Sequence, residues 1–312
     1  MSLKISVDGG GLGGKLGERF GNYVFSKNLI EAILKYDKRN QYYIYTLDRL
    51  KPRLAWSKIR LSIEELKEKK DVFLALNKAI PLFVSGKVIS FCHGLSYYCY
   101  PQLYSKKDYS RLMKQLEEMI KKSDYIIVSS EKVKKELTSM YRYIETKIRI
   151  IPFGIPFDMS IRRTPGGCTC KYFLYVGMDH PIKNIQFIRR AFREIRGVGE
   201  IGDCRLLVIT KNYSRKKLQQ LYRGATALLT ASHYESFNLP VLEALSQGCP
   251  VIGLKSAIIP ELTPYVNVAK NEKEFLNLMK KIANKNERFT LIKRLIEVFS
   301  WKKYVEKLVK LY

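Results

Sequence analysis

Short runs of β-branched and aromatic residues alternate along the chain with segments in which apolar residues recur every three or four positions. Runs of the first kind predict strands, and segments of the second kind predict amphipathic helices. In the first half the predicted strands are 3–7, 42–45, 87–91, 125–128 and 149–152. One helix is predicted after the first strand, with Tyr23, Ile30, Ile33 and Leu34 on one face, and another over 106–122.

The second half repeats this alternation after an interruption. Residues 152–156 and 164–167 are rich in Pro and Gly, which predicts a domain boundary between them. Further strands are predicted at 172–176, 205–209, 227–230 and 250–254, and helices at 184–195, 215–222 and 240–246. The tail from 272 to 312 is predicted to be helical throughout.

Strands separated by helices predict parallel sheets with right-handed crossovers, and therefore an α/β fold. We expect two doubly wound Rossmann-like domains facing across a cleft, at 1–153 and 154–298, with a closing helix at 299–312 that packs back toward the first domain. Ligands of such sheets bind outside the carboxyl ends of the strands. Candidate loops are therefore 9–21, 91–94, 177–184, 210–213 and 232–239.

Composition narrows the class of protein. Of 312 residues, 46% are hydrophobic and 27% charged, as in packed globular domains and unlike disordered chains. No apolar run reaches the ~18 residues that span a bilayer, and the first residues do not resemble a secretory signal, so we expect a cytoplasmic protein. The formal charge of +27 attracts nucleic acid, anionic lipid or phosphorylated small molecules, or belongs to the solvated surface of a thermophile's protein.

Cysteine usage does not favour a structural metal. The six cysteines include no C-x2-C pair, so we predict no zinc site. Cys204 and Cys249 lie in apolar, strand-like runs and are predicted to be buried small hydrophobes. We expect free thiols rather than disulfides at Cys92/Cys99 and Cys168/Cys170.

The most specific pattern is the segment 232–244, SHYESFNLPVLEA, in which a strand ends, a loop carries Glu235 and a helix begins near Pro240. Backbone amides at a helix amino end, together with the helix dipole, form an anion site that suits phosphate. Glu235 and Glu243 would repel phosphate and are suited to accept hydrogen bonds from sugar hydroxyls. A ligand that carries both phosphate and sugar hydroxyls is a nucleotide sugar, so this segment predicts a nucleotide-sugar site.

Glu235 and Glu243 also stand at the spacing of the E-x7-E motif, and here the sequence resembles the retaining glycosyltransferases of the GT-B fold, family 4 (glycosyl transferases group 1). The similarity continues through Gly248–Ile252 and Ile259–Glu261 and includes Lys183-Asn184 and the sequence Phe-Ser-Trp at 299–301. The first loop and the segment 150–155 resemble the family more weakly.

The resemblance implies a role for residues at matching positions. Lys183 would bind the donor diphosphate, Glu243 the ribose hydroxyls, and Glu235 the hydroxyls of the transferred sugar. The amides of Phe237, Asn238 and Leu239 would lie near the sugar and phosphate, and His93 would line the reaction centre. In the glycine-rich first loop, Gly14, Gly17 and Arg19 would approach the diphosphate. We hypothesise that Arg19 supplies the charge that the family usually places where this chain has Met178.

The resemblance also implies transfer with retention of anomeric configuration from a nucleoside-diphosphate sugar, without a cofactor. Fixed cations and amides at the phosphate stabilise the charge that develops there. Because the sequence contains no Asp-x-Asp pair, we predict that no metal is needed. The departing phosphate would deprotonate the acceptor.

The acceptor stays open among a lipid-linked glycan, another glycan and a protein. A basic segment at 105–122 suits the anionic inner face of a membrane, although a solvated helix face explains it equally well. The alternative function is a basic nucleic-acid-binding protein, or a sugar transferase acting on DNA, which the charge and 21 tyrosines permit. A non-catalytic scaffold is disfavoured by the joint presence of Lys183, Glu235 and Glu243.

Overall fold

The computed structural model describes residues 2–12, 21–50, 55–77, 80–159, 172–211, 213–285 and 290–312. The chain divides into two compact units, one formed by Met1–Gly154 with Trp301–Tyr312 and the other by Ile155–Ser300. The sequence prediction had drawn the limits at 153 and 298, so the structure assigns Gly154 to the first unit and Phe299 and Ser300 to the second.

Unit 1 is built on a six-stranded parallel sheet. Its strands are β1 (Lys4–Asp8), β2 (Gln41–Tyr45), β3 (Val72–Ala75), β4 (Lys87–Cys92), β5 (Tyr125–Val128) and β6 (Ile148–Ile150). Their order is β2-β1-β3-β4-β5-β6, so the chain reverses direction across the sheet between β1 and β3. That gap is the topological switch point of the unit.

The helices of unit 1 are α1 (Gly21–Tyr36), α2 (Leu61–Lys67), α3 (Ser96–Cys99), α4 (Lys106–Lys122), α5 (Glu131–Met140) and α11 (Trp301–Val309). Helix α11 returns from the end of the chain to α1, where the rings of Trp301 and Tyr304 pack 6.1 and 6.3 Å from that of Phe25. The closing helix therefore belongs to the first unit, as the sequence predicted.

Unit 2 contains a five-stranded parallel sheet. Its strands are β7 (Tyr172–Val176), β8 (Arg205–Ile209), β9 (Ala227–Thr230), β10 (Val251–Leu254) and β11 (Asn267–Ala269), in the order β11-β10-β9-β7-β8. The switch point lies between β7 and β9. The helices are α6 (Ile185–Gly197), α7 (Arg215–Gly224), α8 (Leu239–Ser246), α9 (Glu272–Lys285) and α10 (Ile292–Val298).

The structure corrects three expectations. Strands β3 and β11 were not predicted: β3 is a buried four-residue strand with no polar alternation, and β11 has only three residues. The tail is not helical throughout, because α10 ends before Phe299, whose carbonyl accepts a hydrogen bond from the amide of Ile155. Of the residues predicted on the apolar face of α1, Ile30 and Ile33 are buried, together with Phe25 and Leu29, whereas Leu34 is 47% exposed.

Cys204 and Cys249 are buried, as predicted. These two and Cys92 and Cys99 are free thiols, whereas Cys168 and Cys170 lie outside the described residues. Among the helices that the structure describes, none is long and apolar enough to cross a bilayer.

Candidate functional site

In unit 2 the two loops that leave the switch point are joined by an ion pair. Lys183 follows β7 and Glu235 follows β9, and Lys183 Nζ lies 2.7 Å from Glu235 Oε1. The same carboxylate oxygen accepts a hydrogen bond of 2.7 Å from the hydroxyl of Ser232. The structure thus brings two of the predicted donor-binding residues together at the edge of the sheet where ligands of this fold bind.

Glu235 is held where a ligand can still reach it. Its side chain is 10% exposed and that of Lys183 is 21% exposed. Lys183 ends a short 3-10 turn that begins at Pro181, and Asn184 directly after it has the left-handed conformation, with a φ of 50°. This tight turn fixes the direction in which the lysine leaves the backbone before α6 begins.

Asn238 directs the start of α8. With a φ of 69° it is in the left-handed region, which asparagine tolerates better than most residues. Its side-chain amide donates to Thr230 Oγ1 and to the carbonyl of Ala257, both at 3.1 Å, and so ties the loop to β9 and to the segment after β10. The backbone makes a tight turn here, and the side chain of Asn238 stabilises it.

Phe237 and Leu239 flank this turn. The ring of Phe237 is buried and lies edge-on to that of Phe299 at 5.8 Å, and Leu239 is the first residue of α8. Pro240 follows in the first turn, where its missing amide hydrogen costs no helical bond. The backbone from Phe237 to Leu239 therefore forms the amino end of a buried helix, as the sequence indicated.

Glu243 lies inside α8 and is deeply buried, with its side chain 4% exposed. Arg215 Nη2 donates to its Oε1 at 2.7 Å, and the Tyr222 hydroxyl donates to its Oε2 at 3.1 Å. Arg215 also bonds to Asp158 Oδ1 at 3.0 Å. Burial raises the pKa of Glu243, and the positive charge of Arg215 opposes that rise.

Arg215 was missed as a site residue. In the sequence it stands at the start of a predicted helix, in a basic stretch from 205 to 223 that could add to the field that attracts a nucleotide. Its partners Asp158 and Glu243 are 57 and 28 residues away, so no local pattern connects them.

In unit 1, His93 directly follows β4 at the carboxyl edge of the sheet. Its Nε2 lies 2.7 Å from the carbonyl oxygen of Leu76, and because a carbonyl only accepts, this nitrogen carries the hydrogen. The ring packs edge-on to Phe25 at 4.8 Å. The backbone carbonyl of Leu76, directly after β3, thus orients the histidine that was predicted at the reaction centre.

The predicted ligands of the first loop, Gly14, Gly17 and Arg19, lie outside the described residues. In the part of the chain that the structure describes, no group of three or more His, Cys, Asp or Glu side chains is arranged to hold a metal ion.

Two family models match the chain. Residues 33–158 match the model Glycosyltransferase Family 4, and residues 206–297 match the model Glycosyl transferases group 1. The O-antigen chain mannosyltransferase B of Escherichia coli is 25% identical over 232 residues, which cover 63% of this chain. The chain spans only 60% of that relative's length.

Solved structures with the same fold align with 99% of this chain. Sucrose-phosphate synthase from Thermosynechococcus elongatus has a TM-score of 0.69 at 16% identity, with 99% of this chain and 98% of that one covered. HepE from Anabaena, solved in complex with UDP-glucose, has a TM-score of 0.62 at 14% identity, with 99% of both chains covered. The chain therefore has the GT-B fold and carries the two domains of the family 4, group 1 glycosyltransferases.

Proposed function

We propose that this protein transfers a sugar from a nucleoside-diphosphate sugar to an acceptor hydroxyl, with retention of configuration and without a metal. The observation that carries the proposal is the Lys183–Glu235 pair at the switch point of unit 2, three residues before the turn that starts α8. It sets a cation, a carboxylate and a helix amino end within one short stretch of the sheet edge.

Each of these groups suits a different part of the donor. The ammonium of Lys183 has three N–H donors, of which Glu235 uses one, so the others are available to the diphosphate. The amides around Phe237–Leu239 add partial positive charge from the helix dipole. Glu235, whose Oε1 accepts from Ser232 and Lys183, would also accept hydroxyl hydrogens of the transferred sugar.

Glu243 would bind the ribose. Arg215 and Tyr222 each use one lone pair of a different carboxylate oxygen, and a carboxylate has about four. The positive charge of Arg215 opposes the rise that burial causes in the pKa of Glu243. The oxygens of Glu243 would accept hydrogen bonds from the ribose hydroxyls.

In the reaction, the bond between the anomeric carbon and the phosphate oxygen breaks and a bond to the acceptor oxygen forms on the same face of the sugar. The acceptor's proton passes to the departing phosphate oxygen, so no protein base is required. Lys183 and the helix amides stabilise the negative charge that grows on the diphosphate. His93, whose Nε2–H is committed to Leu76, would line the sugar in unit 1 through its remaining ring atoms.

Donor binding is tested by thermal shift with UDP, GDP and their sugars. A ligand at 100 times its dissociation constant stabilises the folded state by about 2.7 kcal/mol. If no nucleotide raises the unfolding temperature, the proposal is wrong. With a binding donor in hand, NMR of the product shows whether the anomeric configuration is kept, and undiminished turnover in EDTA is expected if no metal takes part.

For the acceptor side, we propose a cytoplasmic enzyme that works at an anionic membrane surface. In α4, Leu116, Met119 and Ile120 are buried in the core of unit 1, so lipid would meet the exposed polar face, whose cations include Lys107, Arg111 and Lys114. Binding should therefore be electrostatic, present on vesicles with anionic lipid and lost at high salt. DNA binding with a steep salt dependence would instead favour the nucleic-acid alternative.

A further inference from the structure

Unit 1 buries a carboxylate, that of Asp8, with no cation beside it among the residues that the structure describes. Asp8 is the last residue of β1 and is 2% exposed. In the described part of the chain it forms no ion pair: its partners are the amide of Gly10 at 2.9 Å, Trp56 Nε1 at 3.2 Å and Asn77 Nδ2 at 3.4 Å. Burying a charge without a counter-charge costs stability, so such a group needs a reason to be there.

The position of Asp8 supplies a reason. It lies at the carboxyl end of β1, and Asn77 follows the neighbouring strand β3, so the two residues flank the switch point of the sheet. Ligands of doubly wound sheets bind at this place. Of the two carboxylate oxygens, Oδ1 receives two hydrogen bonds, whereas Oδ2 has only the long contact to Asn77.

Trp56 completes the cluster, and the backbone before it is strained. The indole is half-buried against the core of unit 1, with its N–H held by Asp8. Ala55 directly before it has a φ of 50°, a left-handed conformation that alanine rarely adopts, and residues 56–60 form a π-helical turn. Strained residues and π turns persist mainly where a site requires them.

Two glycines let the backbone reach this cluster. A Cβ on Gly10 would lie 2.7 Å from Trp56 Nε1 and 2.9 Å from Asp8 Oδ1. A Cβ on Gly11 would lie 2.9 Å from Asn77 Oδ1 and 3.0 Å from Ser26 Oγ, a buried hydroxyl without a hydrogen-bond partner among the described residues. A side chain at either position would clash with these groups, so the close approach of the backbone requires glycine.

A carboxylate oxygen, an amide and a half-exposed indole suit a neutral ring that carries hydroxyls. The carboxylate accepts from hydroxyls, the amide of Asn77 both donates and accepts, and the indole offers an apolar face to the carbon atoms of the ring. We propose that Asp8, Trp56 and Asn77 form a subsite that binds a saccharide or cyclitol, which, given the proposed function, is the acceptor.

The chain has two tryptophans, which allows a direct test. Trp301 is buried, so a ligand of this subsite should change the fluorescence of Trp56 alone. The probes are myo-inositol and the methyl glycosides of glucose, galactose and mannose. We expect at least one probe to change the emission of the wild type, no change in Trp56→Phe, and an affinity about tenfold or more lower in Asp8→Asn.

Asp37→Asn is the matched control. Asp37 is also a buried carboxylate of unit 1, but it lies after α1 and is bonded to Asn40 and Tyr42. The Asp37→Asn variant is therefore expected to bind the probe as the wild type does. The proposal is overturned if no probe changes the emission, or if calorimetry shows equal affinity for the wild type and Asp8→Asn. Calorimetry also serves if Trp56→Phe does not fold.

Nucleotide binding separates this proposal from the one on which it rests. Asp8→Asn should keep the full thermal shift with the nucleotide that stabilises the wild type, since Lys183, Glu235 and Glu243 lie in unit 2 and are unchanged in this variant. If probes bind in an Asp8-dependent way but no nucleotide binds, the subsite stands and the transferase proposal fails. If nucleotides bind and the probes do not, the subsite proposal fails and the transferase proposal stands.

Discussion

Lys183 and Glu235 neutralise each other across the switch point of unit 2, with 2.7 Å between Nζ and Oε1 and 52 residues between them in the chain. Each residue was expected to contact a different part of the donor. Their pairing means that the lysine is already oriented and partly desolvated before a ligand arrives. Such preorganisation lowers the cost of binding, because fewer rotamers remain to be fixed.

Replacing Lys183 by Ala should weaken nucleotide binding. The variant loses a charged hydrogen-bond donor at the phosphate and leaves Glu235 with an unopposed negative charge there. We expect UDP or GDP affinity, whichever binds the wild type, to fall about tenfold to a hundredfold by calorimetry. Lys280→Ala, which breaks an exposed pair with Glu200, is the control and should bind normally. Equal affinity for Lys183→Ala and the wild type would refute the role of this lysine.

Replacing Arg215 by Met should destabilise unit 2. Glu243 and Asp158 would both lose their cation, and breaking a buried pair costs about 3–5 kcal/mol. The loss should be partly recovered in the double variant with Glu243→Gln, because no charge is then left in α8. Urea unfolding measures both, and Arg190→Met at the exposed pair with Glu272 should cost at most about 1 kcal/mol.

The same variant should show a distinct pH dependence. The pKa of Glu243 is already raised by burial, and removal of Arg215 raises it further. A carboxyl with a folded pKa above its unfolded value of 4.5 contributes stability that is lost as pH rises through the folded pKa. The destabilisation of Arg215→Met should therefore be greatest at neutral pH and shrink toward pH 4.5. A loss independent of pH would show that the charge of Glu243 is not its cause.

Asp8→Asn should stabilise unit 1 at neutral pH. Burial raises the pKa of Asp8 above its ordinary 3.8, so the ionised form is disfavoured in the folded state. By the linkage relation, the contribution of Asp8 to folding stability falls as pH rises through its folded pKa. Asparagine does not titrate, so the variant avoids that loss. We expect the advantage of the variant in urea unfolding to vanish as pH approaches 3.8. A variant that is less stable at every pH would contradict this.

At Asn238, glycine should be tolerated better than alanine. Both substitutions lose the hydrogen bonds to Thr230 and Ala257, at a cost of about 1 kcal/mol each. Only alanine also pays for a Cβ at a φ of 69°, about 1–2 kcal/mol more. Urea unfolding of Asn238→Gly and Asn238→Ala measures the difference, and equal stabilities would show that the left-handed backbone is not retained.

Helix α4 illustrates what local sequence signals can predict. Its bounds, Lys106–Lys122, follow directly from the sequence, because Ser105 caps the first turn by accepting from the amide of Asp108 and the apolar residues recur at helical spacing. Strand β3 shows the opposite. Its four buried apolar residues carry no periodicity, and only pairing with β1 and β4 makes them a strand.

The candidate site divides in the same way. The motif around Glu235 and Glu243 was visible because chemistry and turn residues stand close together in the chain. The predicted roles of Lys183, Glu235, Glu243 and His93 stay predictions. Asp8 stands at the end of the apolar strand Lys4–Asp8, a signal that could have singled it out, since a polar residue that ends a buried strand faces the ligand edge of the sheet.

The sequence by itself determined the alternation of strands and helices, the parallel α/β class and the helix that begins after Asn238, since each depends on residues within one or two turns of each other. Only the tertiary structure decided that Arg215 accompanies Glu243, that Lys183 meets Glu235, and that Asp8 is buried in unit 1. The free energy of a charged group depends on its burial and on the charges packed around it, and these are brought together by segments far apart in the chain.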